Sequence, residues 1–411
     1  MSIPAPPRRS STDSWPAFLE QAVDDCFDEM VAIRRYLHIH PEPSGQEQRT
    51  IAYLTERLVE AGFDPRLASH QRGLLVDNFE HGVGPRVALR ADVDALKIED
   101  AKKVDYRSQV TGVMHACGHD AHPTMVLGAI LALRSAEAAG ALPWPVRWRA
   151  IFQPAEETCL GANEMIAEGA LEGIDAIFAL HVDPSRAVGK IGTRVGPLTS
   201  ITDQLRIMIV GRGGHAARPH ESQDPIAAAA QLISSMYLFV PRATDSHDSV
   251  VVTIGQIIGG ESANVIPETV ELRGTLRTLS HRIRERTQAH IHQLARGLAE
   301  TSGTKIRVEF IDGTDSVVND EALTAVVRQT ASDLLGAANV EEIDHPSMGS
   351  EDFAQYLQNV PGTMFRLGVT SQNTGGAPLH SPMFDIDERA LAVGAKILAQ
   401  SVVSWFDPAR H

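Results

Sequence analysis

The spacing of apolar residues changes along the chain and divides it into predicted helices and strands. Apolar side chains recur every three to four residues over 16–38, and again from Gln48 until Gly62 ends the pattern, which is typical of amphipathic helices. Short apolar runs then alternate with helical stretches, in the order "RVALRADVD", "TMVLGAILALRSAEAAG", "VRWRAIFQ", "NEMIAEGAL" and "DAIFALHV". This alternation predicts an α/β fold, with a mostly parallel sheet flanked by helices.

The middle third of the chain has a different order of elements. A strand ("DQLRIMIVG"), a helix ("DPIAAAAQLISSMYLF"), two strands ("SVVVTIGQII", "TVELRGTLRT"), a helix ("RIRERTQAHIHQLARGLAE") and a strand ("KIRVEFI") follow one another. This βαββαβ order is that of a ferredoxin-like unit. Because the α/β pattern returns afterwards, we expect this unit, 197–313, to be inserted into a discontinuous larger domain formed by 1–196 and 314–411.

Composition and charge narrow the class of partner. The chain has 411 residues, 43% of them hydrophobic, and a net charge of -15 without any lysine- or arginine-rich run, which disfavours nucleic acid and anionic membranes. No apolar run has the length of a signal peptide or a membrane span. Three cysteines without a signal disfavour a disulfide framework. We therefore expect a cytoplasmic globular protein that acts on small molecules or protein.

The stretch "VMHACGHDAHPTM", 113–125, has the highest concentration of potentially reactive side chains in the chain. It places three histidines, a cysteine and an aspartate within eight positions. Asp120 can cap the helix that follows, with Pro123 in its first turn. Cys117 and His119 would then precede a helix N-terminus, whose positive end favours the thiolate. A helix cap explains Asp120 but not the two residues before it, so we favour a metal site here.

The other candidate side chains follow predicted strands. Glu156 and Glu157 come after "VRWRAIFQ", His181 is near the end of "DAIFALHV", and Asp92 and Asp94 end "RVALRADVD". Ligands bind outside the carboxyl ends of parallel strands, so these side chains should converge on one crevice. Adjacent glutamates suit a pair in which one binds metal and the other moves protons. The structural alternatives are a solvated glutamate pair, aspartates that cap turns and a hydrogen-bonded histidine.

The sequence says less about the roles of the other two cysteines. Cys26 lies on an apolar helix face and is most simply a small buried hydrophobe. Cys159 follows the two glutamates closely, and its role stays open between structure and site.

An ordered set of motifs runs through nearly the whole chain. In sequence these are "LHIHPEPSGQE", "RADVDAL", "MHACGHDAH", "QPAEE", "ALH", "GRGGHAARPH", "DPIAAAA", "NVIP", "GTLR", "MGSEDF" and "LHSPMF". The set resembles the M20 metallopeptidase and amidohydrolase family, in the branch that contains aminoacylases, hippurate hydrolases and auxin-conjugate hydrolases. Each motif alone is weak evidence, whereas their order is very specific.

The resemblance implies a dinuclear metal site. Two divalent ions would be bound by five side chains and Glu156 would be the general base; the five are Cys117, His119, Glu157, His181 and His380. Asp94 would support the ligands without binding metal, and Asp92 falls where other branches have a histidine ligand, so its ligation stays undecided. Thiolate, imidazole and carboxylate together suit zinc, manganese, cobalt or nickel better than magnesium or calcium.

The resemblance also implies that the inserted unit is a lid or dimerisation domain of a homodimer or higher oligomer. His215 of "GGHAA" and Asn264 of "NVIP" would polarise the substrate carbonyl, often across the dimer interface, and Arg277 of "GTLR" would bind a substrate carboxylate. Each has a structural alternative: His215 could order a glycine-rich turn, Asn264 could cap a turn and Arg277 could form an ion pair.

The implied activity is hydrolysis of the amide bond of N-acyl amino acids, as in aminoacylases and hippurate hydrolases, by water that two metal ions activate. Dipeptidase and N-acetyl-amino-acid deacetylase activities are alternatives within the family. One departure is Lys97, which stands where this branch usually has proline after "DAL". We expect this lysine, near the crevice rim, to alter which acyl or amino-acid portion is accepted.

Two other classes of protein compete with a metallohydrolase. In a cysteine hydrolase, Cys117 would be the nucleophile and one of three nearby histidines the base: His115, His119 or His122. That class leaves Glu157, His181 and His380 unexplained. A non-catalytic binding protein is disfavoured because Glu156 and all five ligand positions are retained.

Overall fold

The computed structural model describes residues 14–79, 84–372 and 374–410. Residues 1–13, which contribute to the expectation that a signal peptide is absent, lie outside them. The described residues form two compact units. The larger contains those up to Gly196, Val318–Asp344 and those from Gln355 onward, and the smaller contains Pro197–Val317 and His345–Ala354.

Helices and strands alternate over most of the described chain. The helices are α1 Trp15–Asp25, α2 Phe27–Ile39, α3 Gln48–Glu60, α4 Ala121–Ala138, α5 Gly161–Ala167, α6 Pro225–Ala243, α7 His281–Ser302, α8 Glu321–Leu335, α9 Phe353–Leu357 and α10 Arg389–Trp405. The strands are β1 Arg66–Leu67, β2 Leu74–Asp77, β3 Val87–Asp92, β4 Trp148–Gln153, β5 Ala176–Ala187, β6 Ile191–Thr193, β7 Gly196–Pro197, β8 Ile201–Val210, β9 Gly214–His215, β10 Val250–Ile258, β11 Val265–Ile266, β12 Thr269–Thr278, β13 Lys305–Thr314, β14 Val318–Asn319, β15 Val340–Glu342 and β16 Gly362–Thr370.

The larger unit is built on a mixed sheet whose strand order, within the described residues, is β1-β2-β4-β3-β5-β16-β6-β15. Its central strands β4, β3, β5 and β16 are all parallel to their neighbours in this group. Every residue of β3 and β4 is buried, which explains their continuous apolar sequences. The predicted α/β fold with a mostly parallel sheet is therefore confirmed.

Helices α4 and α10 pack against each other beside this sheet, and α4 is buried over most of its surface. The N-terminus of α4 follows the cysteine- and histidine-rich loop, so burial of the helix fixes where that loop lies. The first predicted helix differs from expectation. It is interrupted at Cys26, whose backbone leaves the helical region, with φ -100° and ψ 8°. Cys26 packs partly buried against the core, as a small hydrophobe would.

The smaller unit has a four-stranded antiparallel sheet in the order β10-β12-β8-β13. Helices α6 and α7 contribute Leu232, Met236 and Ile291 to its core, which lies against Ile207 and Leu272 of the strands. With β8, α6, β10, β12, α7 and β13 in chain order, the unit has the predicted ferredoxin-like arrangement. The side chain of Asp224 begins α6 by accepting the amide hydrogens of its first turn.

Helix α6 is the one helix in the described ranges that is long and apolar enough to cross a membrane by length and composition. One of its faces, which includes Leu232 and Met236, is buried in the core of the smaller unit. Tyr237, Leu238 and Phe239 are exposed on the rest of the helix. Within the described residues, therefore, only part of the apolar surface of α6 is buried.

Candidate metal centre

Four segments of the larger unit bring together side chains of the types that can bind metal. Cys117 and His119 lie in the loop before α4, Glu156 and Glu157 in a 3-10 turn after β4, His181 in β5, and His380 in the loop between β16 and α10. Their donor atoms fall within 4.8 Å of one another in three overlapping groups: Cys117–His119–His181, Cys117–Glu157–His380 and His119–Glu156–Glu157. The structure thus gathers all five sequence-predicted ligands and the predicted base.

The polar atoms of this cluster are incompletely paired. His119 Nε2 and Glu157 Oε1 are buried and make no hydrogen bond, although His380 Nε2 lies 3.4 Å from Glu157 Oε1. Buried polar groups without partners cost free energy, so two converging examples call for a bound species. Because the neighbouring donors are a thiol, imidazoles and a carboxylate, the set fits a borderline divalent metal ion.

Cys117 differs from the sequence-based expectation. Its Sγ lies 3.5 Å from His181 Nε2, and the residue is 6% exposed. Burial raises the pKa of this thiol to about 12, although the His119 ring acts in the opposite direction. The prediction that Cys117 is a thiolate is therefore wrong for the protein alone, because burial disfavours the charged form of the thiol. A thiolate at Cys117 requires a cation beside it.

Asp94 holds two of the predicted ligands. Its Oδ1 is 3.1 Å from His119 Nδ1, and its Oδ2 accepts the Glu157 backbone N–H at 3.0 Å and the Ser44 hydroxyl at 2.7 Å. Donation from Nδ1 to a carboxylate fixes the tautomer of a histidine and leaves Nε2 for metal. These contacts match the supporting role that the resemblance implies for Asp94.

Asp92 and His122 form a buried pair that is complete without metal. Asp92 Oδ1 lies 2.6 Å from His122 Nδ1, and its Oδ2 accepts from Arg90 Nη1 at 2.6 Å. The Val182 backbone N–H donates to His122 Nε2 at 3.1 Å, so Nδ1 carries the proton that is donated to Asp92. Burial opposes ionisation of Asp92, yet His119, His122 and Arg90 hold its pKa well below the usual range. The pair anchors the peptide next to His181.

His181 is prepared to act as a neutral ligand. Its Nδ1 lies 2.8 Å from the Val182 carbonyl oxygen and can donate to it, which directs Nε2 toward Cys117. Burial and the charge of Arg366 lower the pKa of His181 well below its ordinary value. The unprotonated imidazole is the form that binds metal.

Asp120 does not cap α4. It occupies the N-cap position without any side-chain bond to the helix, and its Oδ2 instead accepts from Arg34 Nε at 2.8 Å and lies 2.7 Å from His38 Nδ1. The predicted cap is wrong because a buried guanidinium and imidazole bind a carboxylate more strongly than backbone N–H groups do. His115 nearby is buried, and burial lowers its pKa to about 3.

The backbone of the glutamate turn is strained. Ala155 and Cys159, on either side of the turn Glu156–Thr158, have left-handed φ angles of 53° and 59°. His380 has φ 62°. A Cβ on Gly161 would lie 1.6 Å from the Pro154 carbonyl oxygen, so only glycine fits there. Such strain persists where the surroundings fix the chain, and it clusters at functional sites. The sequence patterns alone did not predict this backbone strain.

The other three predicted site residues belong to the smaller unit. His215 and Asn264 lie on the short ribbon of β9 and the loop before β11, joined by a bond from the Ala216 N–H to the Asn264 carbonyl. The exposed His215 accepts the Ala217 N–H at Nδ1, so it orders its turn as the alternative predicted, and Nε2 carries the proton. Arg277 donates to the Met348 carbonyl at 2.9 Å and forms no ion pair with the residues the structure describes.

The chain is similar to proteins of known family. The sequence pattern of Peptidase family M20/M25/M40 matches residues 88–404. An N-acetyl-L-cysteine deacetylase of Bacillus subtilis is 38% identical over 380 residues, which cover 92% of this chain and 88% of the relative. The IAA-amino acid hydrolase ILR1-like 4 of Arabidopsis thaliana is 37% identical over 389 residues, which cover 93% of this chain and 87% of the relative.

A solved structure has the same fold. The Bacillus subtilis YXEP protein, described as a dinuclear metal binding peptidase from the M20 family, superposes with a TM-score of 0.79 and 32% sequence identity. The match covers 92% of this chain and 98% of that one. Since the family pattern, the relatives and the solved structure agree over nearly the whole length, the chain belongs to Peptidase family M20/M25/M40.

Proposed function

We propose that the protein is a metal-dependent hydrolase that cleaves the amide bond of N-acyl amino acids with water. The observation that carries this proposal is the cluster of Cys117, His119, Glu157, His181 and His380, in which His119 and Glu157 lie beside Glu156, a buried carboxylate outside the proposed ligand set. The names of two relatives, N-acetyl-L-cysteine deacetylase and IAA-amino acid hydrolase, support an acylated amino acid as the substrate. Hydrolysis of dipeptides is the alternative reaction.

Two overlapping sets of side chains would hold two divalent ions. Cys117 belongs to both sets, with His119 and His181 in one and Glu157 and His380 in the other. Bound there, two ions would supply charge that polarises the scissile carbonyl and lowers the pKa of water. Asp94 keeps His119 and Glu157 in place for that purpose.

Glu156 would move the protons of the reaction. Its carboxylate lies within 4.8 Å of donor atoms of His119 and Glu157, and the residue is 7% exposed. It would take a proton from water as the new C–O bond forms, then give the proton to the amine as the C–N bond breaks.

Residues of the smaller unit would recognise the substrate. His215 Nε2–H and the Asn264 amide are donors for the carbonyl oxygen, on which negative charge grows in the tetrahedral stage. The guanidinium of Arg277 donates one N–H, from Nη1, to the Met348 carbonyl oxygen, and its other N–H groups would donate to a substrate carboxylate. Lys97 is exposed and would tune which substrate is accepted.

We propose a reducing compartment, the cytoplasm, because Cys26, Cys117 and Cys159 form no disulfide. We also propose that the smaller unit pairs with a second copy of itself. Strand β10 is an edge of its sheet, and exposed apolar side chains continue from it onto α6. Two β10 edges related by a twofold axis would cover both.

A single charge on β10 should therefore split the dimer. Ile257→Asp introduces an unpaired carboxylate where the side chain is now 62% exposed, and we expect association to weaken about 100-fold or more. The matched control is Ile311→Asp on β13, the opposite edge, where the side chain is 50% exposed. Analytical ultracentrifugation compares the two variants. A wild-type monomer, or equal effects of both substitutions, would contradict this interface.

The reaction itself is tested by a substrate screen. Metal-free protein is supplied in turn with zinc, manganese, cobalt or nickel and assayed on N-acetyl, N-benzoyl and long-chain N-acyl amino acids beside dipeptides. We expect turnover of N-acyl amino acids that requires added metal. Inertness of the metal-loaded protein toward the whole panel would support a binding protein, and turnover of dipeptides alone would support the peptidase alternative.

A further inference from the structure

Glu47 lies outside the cluster of ligands, yet its carboxylate contacts the turn that carries Glu156 and Glu157. The side chain is fully buried. Its Oε1 accepts two backbone N–H groups, from Gly45 at 2.8 Å and from Ala155 at 2.9 Å. Its Oε2 makes no hydrogen bond, and Arg72 Nη1 is 3.7 Å from it. One oxygen of Glu47 therefore joins the loop before α3 to the start of the glutamate turn.

The hydrogen bond from Ala155 N–H to Glu47 stabilises a residue whose backbone conformation is unfavourable by itself. Ala155 has φ 53°, a left-handed angle that costs free energy for any residue with a Cβ. Its carbonyl oxygen accepts from Leu160 N at 3.3 Å and Gly161 N at 3.2 Å, so both polar groups of this residue are held. Because Glu156 follows at once, the conformation of Ala155 sets the direction in which the two glutamates leave β4.

The segment 44–47 also contacts the glutamate turn indirectly, at Glu157. The Ser44 hydroxyl donates to Asp94 Oδ2 at 2.7 Å, and that oxygen accepts the Glu157 N–H at 3.0 Å. The segment 44–47 thus fixes Ala155 directly and Glu157 through Asp94. The peptide of Glu156 lies between these two points.

We propose that Glu47 is a positioning residue, which holds the glutamate turn in the conformation that base catalysis and metal binding require. This role rests on the proposed function for its catalytic part. It depends on an acceptor oxygen at the Oε1 position and not on negative charge. Burial raises the pKa of Glu47 to about 7, with Asp94 adding to the rise, so the protein already tolerates a neutral carboxyl group there.

Three substitutions test the role. Glu47→Gln keeps the acceptor oxygen and replaces Oε2, which makes no hydrogen bond, with an amide NH2 group, so it should retain most of the activity and metal affinity. Glu47→Ala removes the acceptor and should lower kcat and metal affinity about 10- to 100-fold, with KM changed less. Glu47→Asp keeps the charge but shortens the reach to Ala155 N–H, so it should resemble Ala more than Gln.

Glu42→Ala is the matched control. Glu42 Oε2 accepts the Thr50 N–H at 2.7 Å, so this carboxylate bonds to the first turn of α3, and no side-chain hydrogen bond found among the described residues joins it to 154–161. We expect it to lower the melting temperature without changing kcat or metal affinity. Kinetics are measured below the melting temperature of every variant, and metal affinity by isothermal titration calorimetry.

Equal losses in Glu47→Gln and Glu47→Ala, or an Ala variant that matches the Glu42→Ala control, would overturn the proposal. If Glu47→Ala does not fold, the comparison of Gln with Asp decides in the same way. If the wild type hydrolyses no amide, the proposed function fails by itself, while the metal affinities of the variants still show whether Glu47 positions the turn.

Discussion

Glu156→Gln should lower kcat about 10²- to 10⁴-fold, the range that general acid–base groups contribute, while leaving the metal content unchanged. The amide of glutamine has the shape of the carboxyl group but cannot take a proton from water or deliver one to the amine. Because Cys117, His119, Glu157, His181 and His380 remain, the donor groups that would hold metal are intact. The expected signature is a loss in kcat with full metal occupancy.

The control for this variant is Glu172→Gln, the same chemical change at an exposed position of the larger unit. Steady-state kinetics and inductively coupled plasma mass spectrometry are performed on both proteins. Substantial turnover by a metal-loaded Glu156→Gln protein would remove Glu156 from the role of base. Loss of metal together with activity would instead make Glu156 a ligand.

Removal of metal with EDTA should abolish turnover, by at least about 10³-fold, because charge stabilisation by bound ions contributes several kcal/mol and 1.4 kcal/mol is tenfold in rate. The thiol of Cys117 cannot replace the metal as a catalyst in the same site. It is 6% exposed, and burial raises its pKa to about 12, so little thiolate exists near neutral pH. We therefore expect slow alkylation of Cys117 by iodoacetamide in the metal-free protein.

Peptide mass mapping distinguishes this cysteine from Cys26 and Cys159, which are both more exposed and serve as internal references. Activity that persists after EDTA and disappears as Cys117 is alkylated would favour the cysteine hydrolase. Activity that returns when divalent metal is added back to an unalkylated sample would favour the metal mechanism.

Periodicity and strand order were enough to predict where most of the side chains of the candidate site come together. Glu156, Glu157 and Asp94 follow buried strands, and His181 lies in β5, beside them. In a parallel sheet such positions converge for geometric reasons. The ferredoxin-like order of the smaller unit could likewise be predicted, because apolar residues recur at regular helix or strand spacing in each of its elements. His380 lies in an irregular loop without any period, so only the family resemblance pointed to it.

Other features depend on contacts between distant parts of the sequence. Asp120 looks like a helix cap locally, but Arg34, which precedes it by 86 residues, binds its carboxylate. The Cys117 thiol lies before a helix, yet burial by distant parts of the chain raises its pKa. Glu47 meets Ala155 across 108 residues. The local spacing of residues cannot show partners this far apart in the sequence. It also cannot show the strained backbone of the turn that Glu47 contacts.

The count of bound metal ions tests the central claim most directly. Wild-type protein is stripped with EDTA, dialysed against zinc or manganese and analysed by inductively coupled plasma mass spectrometry beside His119→Ala. We predict about two ions per chain in the wild type, with activity restored as they bind, and fewer in the variant, since His119 provides a donor atom to the cluster. A replenished wild-type protein without bound metal, or undiminished binding by His119→Ala, would contradict the account.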